Sequence, residues 1–176
     1  KKVNRFLELT KTLIEENGIT VEIVSIGGSP NMWEAEKNPI GTEYRIGTYI
    51  YNDRSLIERK VCREEDCALT VLATVVSIPT PQRAVIDAGS KVLTTDLFGL
   101  AGHGHVIDHP HLTISQLSEE HACIVSDGPT GLSIGQKVRI IPNHACVVSN
   151  MVDEVVFIDG SKVLKRQSVV ARGKVS

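Results

Sequence analysis

The sequence has few aromatic residues and no strong excess of charge of either sign. Phe, Trp and Tyr make up 4% of its 176 residues, and the formal net charge is −2. This balance gives no indication of binding to nucleic acid or to an anionic membrane surface, which select clusters of Lys and Arg. The chain contains no apolar run long enough to span a bilayer and opens with no signal-peptide pattern. The sequence therefore predicts a globular protein with neither a nucleic-acid nor a membrane partner.

Cysteine is also scarce, and its spacing does not form the framework of a small disulfide scaffold. The four cysteines are Cys62, Cys67, Cys123 and Cys146. A chain of this length can bury a good core without disulfides, so we expect a reducing compartment, the cytoplasm. Cys62 and Cys67 flank the charged run 63–66, which we interpret as a solvated turn. A disulfide between those two cysteines is the alternative.

The first third of the chain has the helix, turn and strand order of an α/β unit. Apolar residues at near-helical spacing predict an amphipathic helix over 3–16, which Asn17-Gly18 would end. β-branched residues then predict one strand over 20–26 and a second over 43–51.

Two glycine-bearing segments accompany these two strands. Gly27-Gly28-Ser29 directly follows the first strand, and Gly47-Thr48 lies in the second. Small residues let backbone N–H groups approach an anion closely, and Ser29 adds a hydroxyl. The two segments together fit a phosphate cradle, and a tight turn is the alternative for the first.

The character of the sequence changes after residue 53. Residues 54–67 are charged and hydrophilic and predict a connector. From residue 68 onward, short β-branched runs alternate with turn signals, which is typical of a small barrel or sandwich. The first of these strands is expected over 69–78, buried on both faces and ended by Pro79-Thr80-Pro81.

An imidazole and a thiol stand two residues apart in Ile141-Pro142-Asn143-His144-Ala145-Cys146. If the backbone is extended there, the side chains of His144 and Cys146 emerge on the same face. Their nitrogen and sulfur suit zinc, and two ligands would leave coordination positions open for water and substrate. A buried cysteine and a hydrogen-bonded histidine without metal are the alternative.

Six short segments, taken together, resemble the C-terminal half of a known enzyme family. In chain order they are residues 25–30, 42–53, 85–91, 118–121, 141–146 and 171–173. The family is that of D-threonine aldolase and D-serine dehydratase, which are alanine-racemase-like pyridoxal phosphate enzymes of fold type III with a bound divalent metal. The similarity covers nearly the whole chain.

The resemblance implies an α+β fold in two parts. Residues 1–55 would be the final β/α units of a pyridoxal-phosphate-binding (β/α) barrel, and residues 56–176 a β-rich, metal-binding C-terminal barrel or sandwich. In the family, the Schiff-base lysine lies on an early barrel strand, and Lys1, Lys2 and Lys91 are poor candidates for it. We therefore expect a portion of a longer homodimeric enzyme, inactive without its N-terminal barrel half. A non-catalytic binding or assembly module is the alternative.

The resemblance also implies the chemistry. The cofactor phosphate would be held by Gly27, Gly28, Ser29, Gly47 and Thr48. Zinc, or another divalent metal such as manganese, would be held by His144 and Cys146. The substrates would be β-hydroxy D-amino acids, converted by β-elimination to a 2-oxo acid and ammonia or, alternatively, cleaved between Cα and Cβ. Dehydratase-like members tend to show His-x-Cys and aldolase-like members His-x-Asp, so Cys146 favours the dehydratase. The roles of Glu119, Glu120, His121 and Arg172 stay open.

Overall fold

The computed structural model describes residues 2–174, which form a mixed α+β structure containing a nearly closed antiparallel β-barrel. The α-helices are α1 (Lys2–Glu16), α2 (Arg54–Glu58), α3 (Ser90–Leu93) and α4 (Ala145–Met151). The strands are β1 (Ser25–Gly27), β2 (Glu43–Arg45), β3 (Val71–Thr80), β4 (Arg83–Ile86), β5 (His105–Val106), β6 (Thr113–Leu117), β7 (Ala122–Val125), β8 (Lys137–Ile141), β9 (Glu154–Asp159) and β10 (Lys162–Ser168). No helix within residues 2–174 is long and apolar enough to cross a bilayer.

The predicted first helix is confirmed as α1. Gly18 follows it with φ 78°, the left-handed conformation that commonly ends helices. No residue of α1 is buried, and its apolar side chains, including Phe6 and Leu13, are mostly exposed. The apolar face that the sequence pattern indicates therefore has no cover within the described residues.

Both strands predicted in the first third are shorter than expected. β1 and β2 pair in parallel over only three residues, from Ser25 opposite Glu43 to Gly27 opposite Arg45. Residues 20–24 lie outside the strand, although the carbonyl of Val24 accepts from the amides of Thr42 and Glu43 at 3.0 and 3.3 Å. Beyond Arg45 the backbone turns at Gly47 into a 3-10 helix over Thr48–Ile50, which replaces the second half of the predicted strand.

Six strands form the barrel, in the order β5-β8-β3-β4-β7-β6. All neighbouring pairs are antiparallel. The edge strands β5 and β6 lie beside each other, and His103 N donates to Ile114 O at 3.0 Å just before β5. This contact nearly closes the sheet, so a single core fills its interior. The core side chains include Val75, Ala84, Ile86, Val106, Ile114, Ile124, Val138 and Ile140.

Strand β3 differs from its prediction in two ways. It runs through Pro79 to Thr80, because its pairing with β4 shifts between Ser77 and Thr80 and an irregular pair tolerates the missing N–H of proline. It is also buried on one face only: Val75 is fully buried, whereas 66% of Leu72 is exposed. An antiparallel barrel strand packs its inner face on the core and leaves its outer face free.

The predicted connector 54–67 contains a helix. Asp53 starts α2 as its N-cap, with the carboxylate accepting from Leu56 N at 3.1 Å. The charged run 63–66 forms a capped 3-10 turn on the surface, as expected for a solvated turn. Cys62 and Cys67 beside it are free thiols. Burial, reinforced by the neighbouring Cys62, raises the pKa of the Cys67 thiol to about 12.

Truncating a barrel-core side chain is expected to destabilise the fold far more than truncating the same residue type outside. Ile114 is 0% exposed and Ile134 is 69% exposed. Ile114→Ala should lower the free energy of unfolding by about 2–5 kcal/mol, because it removes buried contacts and leaves a cavity. Ile134→Ala is the matched control and should change it by less than about 0.5 kcal/mol. Urea denaturation followed by circular dichroism measures both, and equal losses would contradict the barrel assignment.

Candidate functional site

The segment that joins β8 to α4 carries the candidate metal ligands. His144 has extended backbone angles, φ −138° and ψ 96°, and is the N-cap residue of α4, whereas Cys146 lies in the first turn of that helix. The expectation that both residues share one face of a strand is therefore wrong. β8 ends at Ile141, and Pro142 and Asn143 turn the chain before helical pairing begins. Each of the two side chains is instead oriented by a partner of its own.

The imidazole of His144 is held by an aspartate 48 positions earlier. Its Nδ1 lies 2.6 Å from Oδ2 of Asp96, in the loop after α3. The ring of Phe98 packs edge-on against the imidazole, with centroids 4.8 Å apart. These two contacts fix both the hydrogen bonding and the orientation of the ring, and they leave Nε2 as the nitrogen available to a ligand.

The thiol of Cys146 is exposed and contacts the first part of the chain. Its Sγ lies 3.2 Å from Oγ1 of Thr48, and either atom can donate. Thr48 begins the 3-10 helix that follows Gly47. The structure thus brings a candidate metal ligand against a candidate phosphate-binding residue.

The two glycine-bearing segments also meet. Oγ of Ser29, which is buried, accepts from the backbone N–H of Tyr49 at 3.1 Å. Gly28 has φ 120°, a conformation that glycine adopts readily. A Cβ at Gly47 would meet no atom within 4 Å, so open space lies beside that glycine.

Gly27 has a structural reason to lack a side chain. A Cβ there would lie 2.6 Å from backbone atoms of Arg45 on the paired strand. The amide of Gly28 is likewise engaged, donating to Arg45 O at 3.0 Å. The amides of Ser29, Gly47 and Thr48, by contrast, donate to no acceptor within residues 2–174. These three N–H groups are the ones that remain for an anion.

A buried carboxylate joins the first part of the chain to the His144 segment. Asp53 is fully buried, and its Oδ2 accepts from Ala145 N at 3.0 Å. Its Oδ1 accepts from Ser55 Oγ at 2.7 Å and from Leu56 N at 3.1 Å. One side chain therefore caps α2 and also binds the first amide of α4, which fixes where His144 and Cys146 lie.

A second polar link runs through Asn143, which is 1% exposed. Its amide Nδ2 donates to the carbonyls of Asp96 and Gly102, at 3.0 and 2.9 Å. Its Oδ1 accepts from the guanidinium of Arg54 at 3.3 Å. Burial lowers the pKa of Arg54, and the nearby Glu58 opposes that shift. The network ties the Asp96 loop to the turn before His144.

Comparison with known proteins was made for the whole chain. Residues 68–158, which include the Asp96 loop and both candidate metal ligands, match the family model described as the putative serine dehydratase domain. An uncharacterized protein of Mycobacterium tuberculosis is 41% identical over 129 residues, which cover 69% of this chain and 96% of that protein. The chain belongs to the serine dehydratase domain family.

Enzymes of the family are longer than this chain. The D-threo-3-hydroxyaspartate dehydratase of Delftia is 32% identical over 148 residues, which cover 73% of this chain and 39% of the enzyme. The D-serine dehydratase of Dictyostelium discoideum is 33% identical over 153 residues, which cover 76% and 38%. The chain thus spans about two fifths of the length of these two enzymes.

Solved structures confirm the predicted fold class. The D-threonine aldolase of Filomicrobium marinum superimposes with a TM-score of 0.78 at 26% identity, covering 98% of this chain and 47% of the aldolase. The Delftia dehydratase gives 0.74 at 26% identity, covering 89% and 46%. Variants of that dehydratase altered at a histidine and, two positions later, at a cysteine have also been solved, the latter in a metal-free form.

Of the remaining polar residues singled out in the sequence, Glu119, Glu120 and Arg172 form ion pairs within residues 2–174, whereas the side chain of His121 does not. Lys91 binds Glu120 and Glu119, at 2.6 and 3.0 Å, and these carboxylates raise its pKa. Arg172 binds Asp153 at 3.1 Å. The backbone carbonyl of His121 accepts from Ser118 N at 2.9 Å, and its side chain is exposed.

Sequence reasoning missed three residues of this site: Asp53, Asp96 and Asn143. Asp53 directly precedes Arg54-Ser55-Leu56, and an aspartate before a helical segment is an N-cap signal that reveals α2. Asp96 and Asn143 carry no comparable local signal, because their partners are distant in the sequence.

Removing the Asp53 carboxylate is expected to destabilise the site and the fold together. Asp53→Ala leaves two buried amides and a hydroxyl without their acceptor and removes a helix cap, which should cost about 2–4 kcal/mol. Asp127→Ala, at an exposed turn residue, is the control and should cost less than about 0.5 kcal/mol. Urea denaturation gives both values. A near-neutral Asp53→Ala variant would show that this carboxylate does not hold the two segments together.

Proposed function

We propose that the chain is the C-terminal portion of a pyridoxal-phosphate- and metal-dependent lyase that eliminates the β-hydroxyl of D-amino acids such as D-serine. The contact between Thr48 and Cys146 carries this proposal, because it joins the two halves of such a site. On one side lie the open amides at Ser29 and Gly47, and on the other lie the candidate metal ligands. Both dehydratases and aldolases occur among the relatives, and the His-x-Cys spacing is the feature that favours elimination over aldol cleavage.

The donor set fits a divalent metal of the zinc type. An imidazole nitrogen and a thiolate suit zinc better than they suit magnesium or manganese, which prefer oxygen. The residues described contain no cluster of three or more His, Cys, Asp or Glu side chains that could hold an ion. His144 Nε2 and Cys146 Sγ would therefore supply two positions, and the remaining positions would be open to water and substrate.

The glycine segments fit the phosphate of the cofactor. The amides of Ser29, Gly47 and Thr48, which donate to no acceptor within residues 2–174, lie where the 3-10 helices Ser29–Lys37 and Thr48–Ile50 begin, and they supply donors for an anion. The open space beside Gly47 leaves room for the anion. Gly27 and Gly28 would allow the backbone to turn here but would donate no hydrogen bond to the phosphate. Their proposed role is therefore conformational.

When both groups are bound, the cofactor would supply an electron sink for the bond broken at Cα, and the metal would supply a Lewis acid for the β-oxygen of the substrate. This chain would anchor the phosphate through Ser29 and the Gly47 turn and would place Nε2 of His144 and Sγ of Cys146 toward the substrate side. No residue described here is assigned the Schiff-base role. Lys91, one of the three lysines considered for this role from the sequence, forms ion pairs with Glu119 and Glu120 on the barrel.

The exposed apolar face of α1 and the two-stranded parallel sheet support a missing barrel half. Parallel strands in α/β proteins are normally covered on both faces and extended by neighbours. We propose that residues 1–55 complete a (β/α) barrel with preceding segments of the same polypeptide, that residues 56–176 form the metal-binding domain, and that the assembly is a homodimer. Cytoplasmic location stays a prediction from cysteine usage.

A stand-alone module is the second candidate. The mycobacterial relative is matched over 96% of its own length, so a protein of that family has little beyond the region shared with this chain. Assay of the intact polypeptide with a panel of β-hydroxy D-amino acids, with and without zinc, separates the candidates. Zinc-dependent release of a 2-oxo acid and ammonia supports the dehydratase, glycine with an aldehyde supports the aldolase, and no turnover supports the module.

Zinc is expected to protect Cys146 from alkylation. In this chain, zinc should slow iodoacetamide labelling of Cys146 and leave labelling of Cys123, on the barrel, unchanged. The reason is that a metal-bound thiolate is a poor nucleophile. His144→Ala should abolish the protection, whereas replacement of the exposed His111 by alanine should keep it. Mass spectrometry of the labelled peptides measures each site. Equal labelling of Cys146 with and without zinc would rule out the metal pair.

Ser29→Ala is expected to weaken cofactor retention in the intact polypeptide. Loss of a hydroxyl that orders the Tyr49 amide and faces the phosphate should lower affinity about tenfold or more, since hydrogen bonds to charged groups contribute about 1.5–3 kcal/mol. Ser115→Ala, at an exposed barrel position, is the control. Cofactor absorbance during dialysis measures retention, and identical retention in both variants would refute the cradle.

A further inference from the structure

We propose that Asp96 is a positioning residue that fixes the metal-binding tautomer of His144. The inference rests on the proposed function and extends it to a residue outside the His-x-Cys motif. The observation is the 2.6 Å separation of Asp96 Oδ2 and His144 Nδ1, between side chains far apart in the sequence.

The tautomer follows from the chemistry of the pair. An ionised carboxylate only accepts hydrogen bonds, so Nδ1 of a neutral imidazole facing it must carry the proton. The lone pair then lies on Nε2. A carboxylate that accepts from the second ring nitrogen of a metal-bound histidine fixes the orientation of the ring and raises its basicity.

Asp96 is itself held in place from the backbone side. Its carbonyl accepts from Nδ2 of the buried Asn143 at 3.0 Å, and its amide donates to Thr94 Oγ1 at 3.3 Å. Thr94 and Phe98 flank it with φ 64° and 51°, which are uncommon conformations for residues other than glycine. A loop that keeps two such residues is over-determined by its surroundings, which is typical of a functional site.

Phe98 supplies the second constraint. Its ring lies against the imidazole of His144, and the Arg59 guanidinium lies over the Phe98 ring, 5.8 Å from its centre. A ring flip of His144 would break both the hydrogen bond to Asp96 and the edge contact with Phe98. The loop 94–98 thus provides both the hydrogen bond from Asp96 and the ring contact from Phe98, and together they orient Nε2.

The tautomer can be measured without any metal. Long-range ¹H–¹⁵N NMR of the chain, well above the ordinary imidazole pKa of about 6.5, should show the Nδ1–H form at His144, assigned by its loss in His144→Gln. Asp96→Ala should shift His144 toward the Nε2–H form. Asp96→Asn, which offers both a donor and an acceptor, should populate both forms. Asp127→Ala is the control and should leave the spectrum unchanged. An Nε2–H form in the unaltered chain overturns the proposal.

Zinc affinity gives the second readout. In competition with a chromophoric chelator, Asp96→Ala should bind zinc about 10–100-fold more weakly, Asp96→Asn should be intermediate, and Asp127→Ala should match the unaltered chain. Urea denaturation of each variant separates loss of the fold from loss of orientation.

The outcomes distinguish this inference from the function on which it rests. If the unaltered chain binds no zinc while the Nδ1–H form is observed, the proposed metal site fails, whereas the Asp96–His144 bond is real. If the chain binds zinc and Asp96→Ala binds it equally well with an unchanged tautomer, Asp96 does not position His144. Loss of zinc binding and of the Nδ1–H form in Asp96→Ala, with partial recovery in Asp96→Asn, supports both.

Discussion

The arrangement of this molecule depends on the buried carboxylate of Asp53. A fully buried anion is stable only when it is hydrogen-bonded, and here two backbone amides and a hydroxyl bind it. Two of those donors belong to α2 and the third is the first amide of α4. Oδ1 accepts from α2 and Oδ2 accepts from α4, so one side chain fixes the starts of both helices relative to each other. The position of His144 and Cys146 relative to Thr48 is a consequence of this shared cap.

A second buried side chain, the neutral amide of Asn143, also connects separate segments. Asn143 connects the Asp96 loop to the turn before α4, and Arg54 reaches the same amide from α2 and also donates to the carbonyl of Gly104 at 3.1 Å. Three segments that are remote in the sequence thus meet at one buried side chain. A buried polar network destabilises the fold when some of its groups lack hydrogen-bond partners, and it makes the structure rigid when all of them are paired. It holds the candidate site in a fixed position beside a barrel with an apolar core.

The sequence pattern correctly predicted the features of this fold that depend on neighbouring residues. The helix α1, the first barrel strand β3 and the change in composition near residue 53 all follow from periodicity and turn chemistry. The sequence pattern gave wrong predictions where contacts between distant segments determine the backbone conformation. The β-branched residues 20–24 form no strand, because β2 pairs with this segment only from Ser25 to Gly27. The β-branched residues around Cys146 likewise do not prevent α4 from starting where Asp53 binds its first amide. Asp96 was unpredictable for the same reason, because nothing near it in the sequence indicates a histidine 48 residues away.

The error about His144 and Cys146 changes how the site should be understood. On a strand, one pleat would set the direction of both side chains, and altering either residue would disturb the other through the shared backbone register. At the start of a helix the two are oriented separately, His144 by Asp96 and Phe98 and Cys146 by Thr48. A carboxylate in place of the thiol would then change the hardness of the second ligand, and so the preferred metal, while the imidazole keeps its place. That independence would let the second candidate ligand change in character without moving the first.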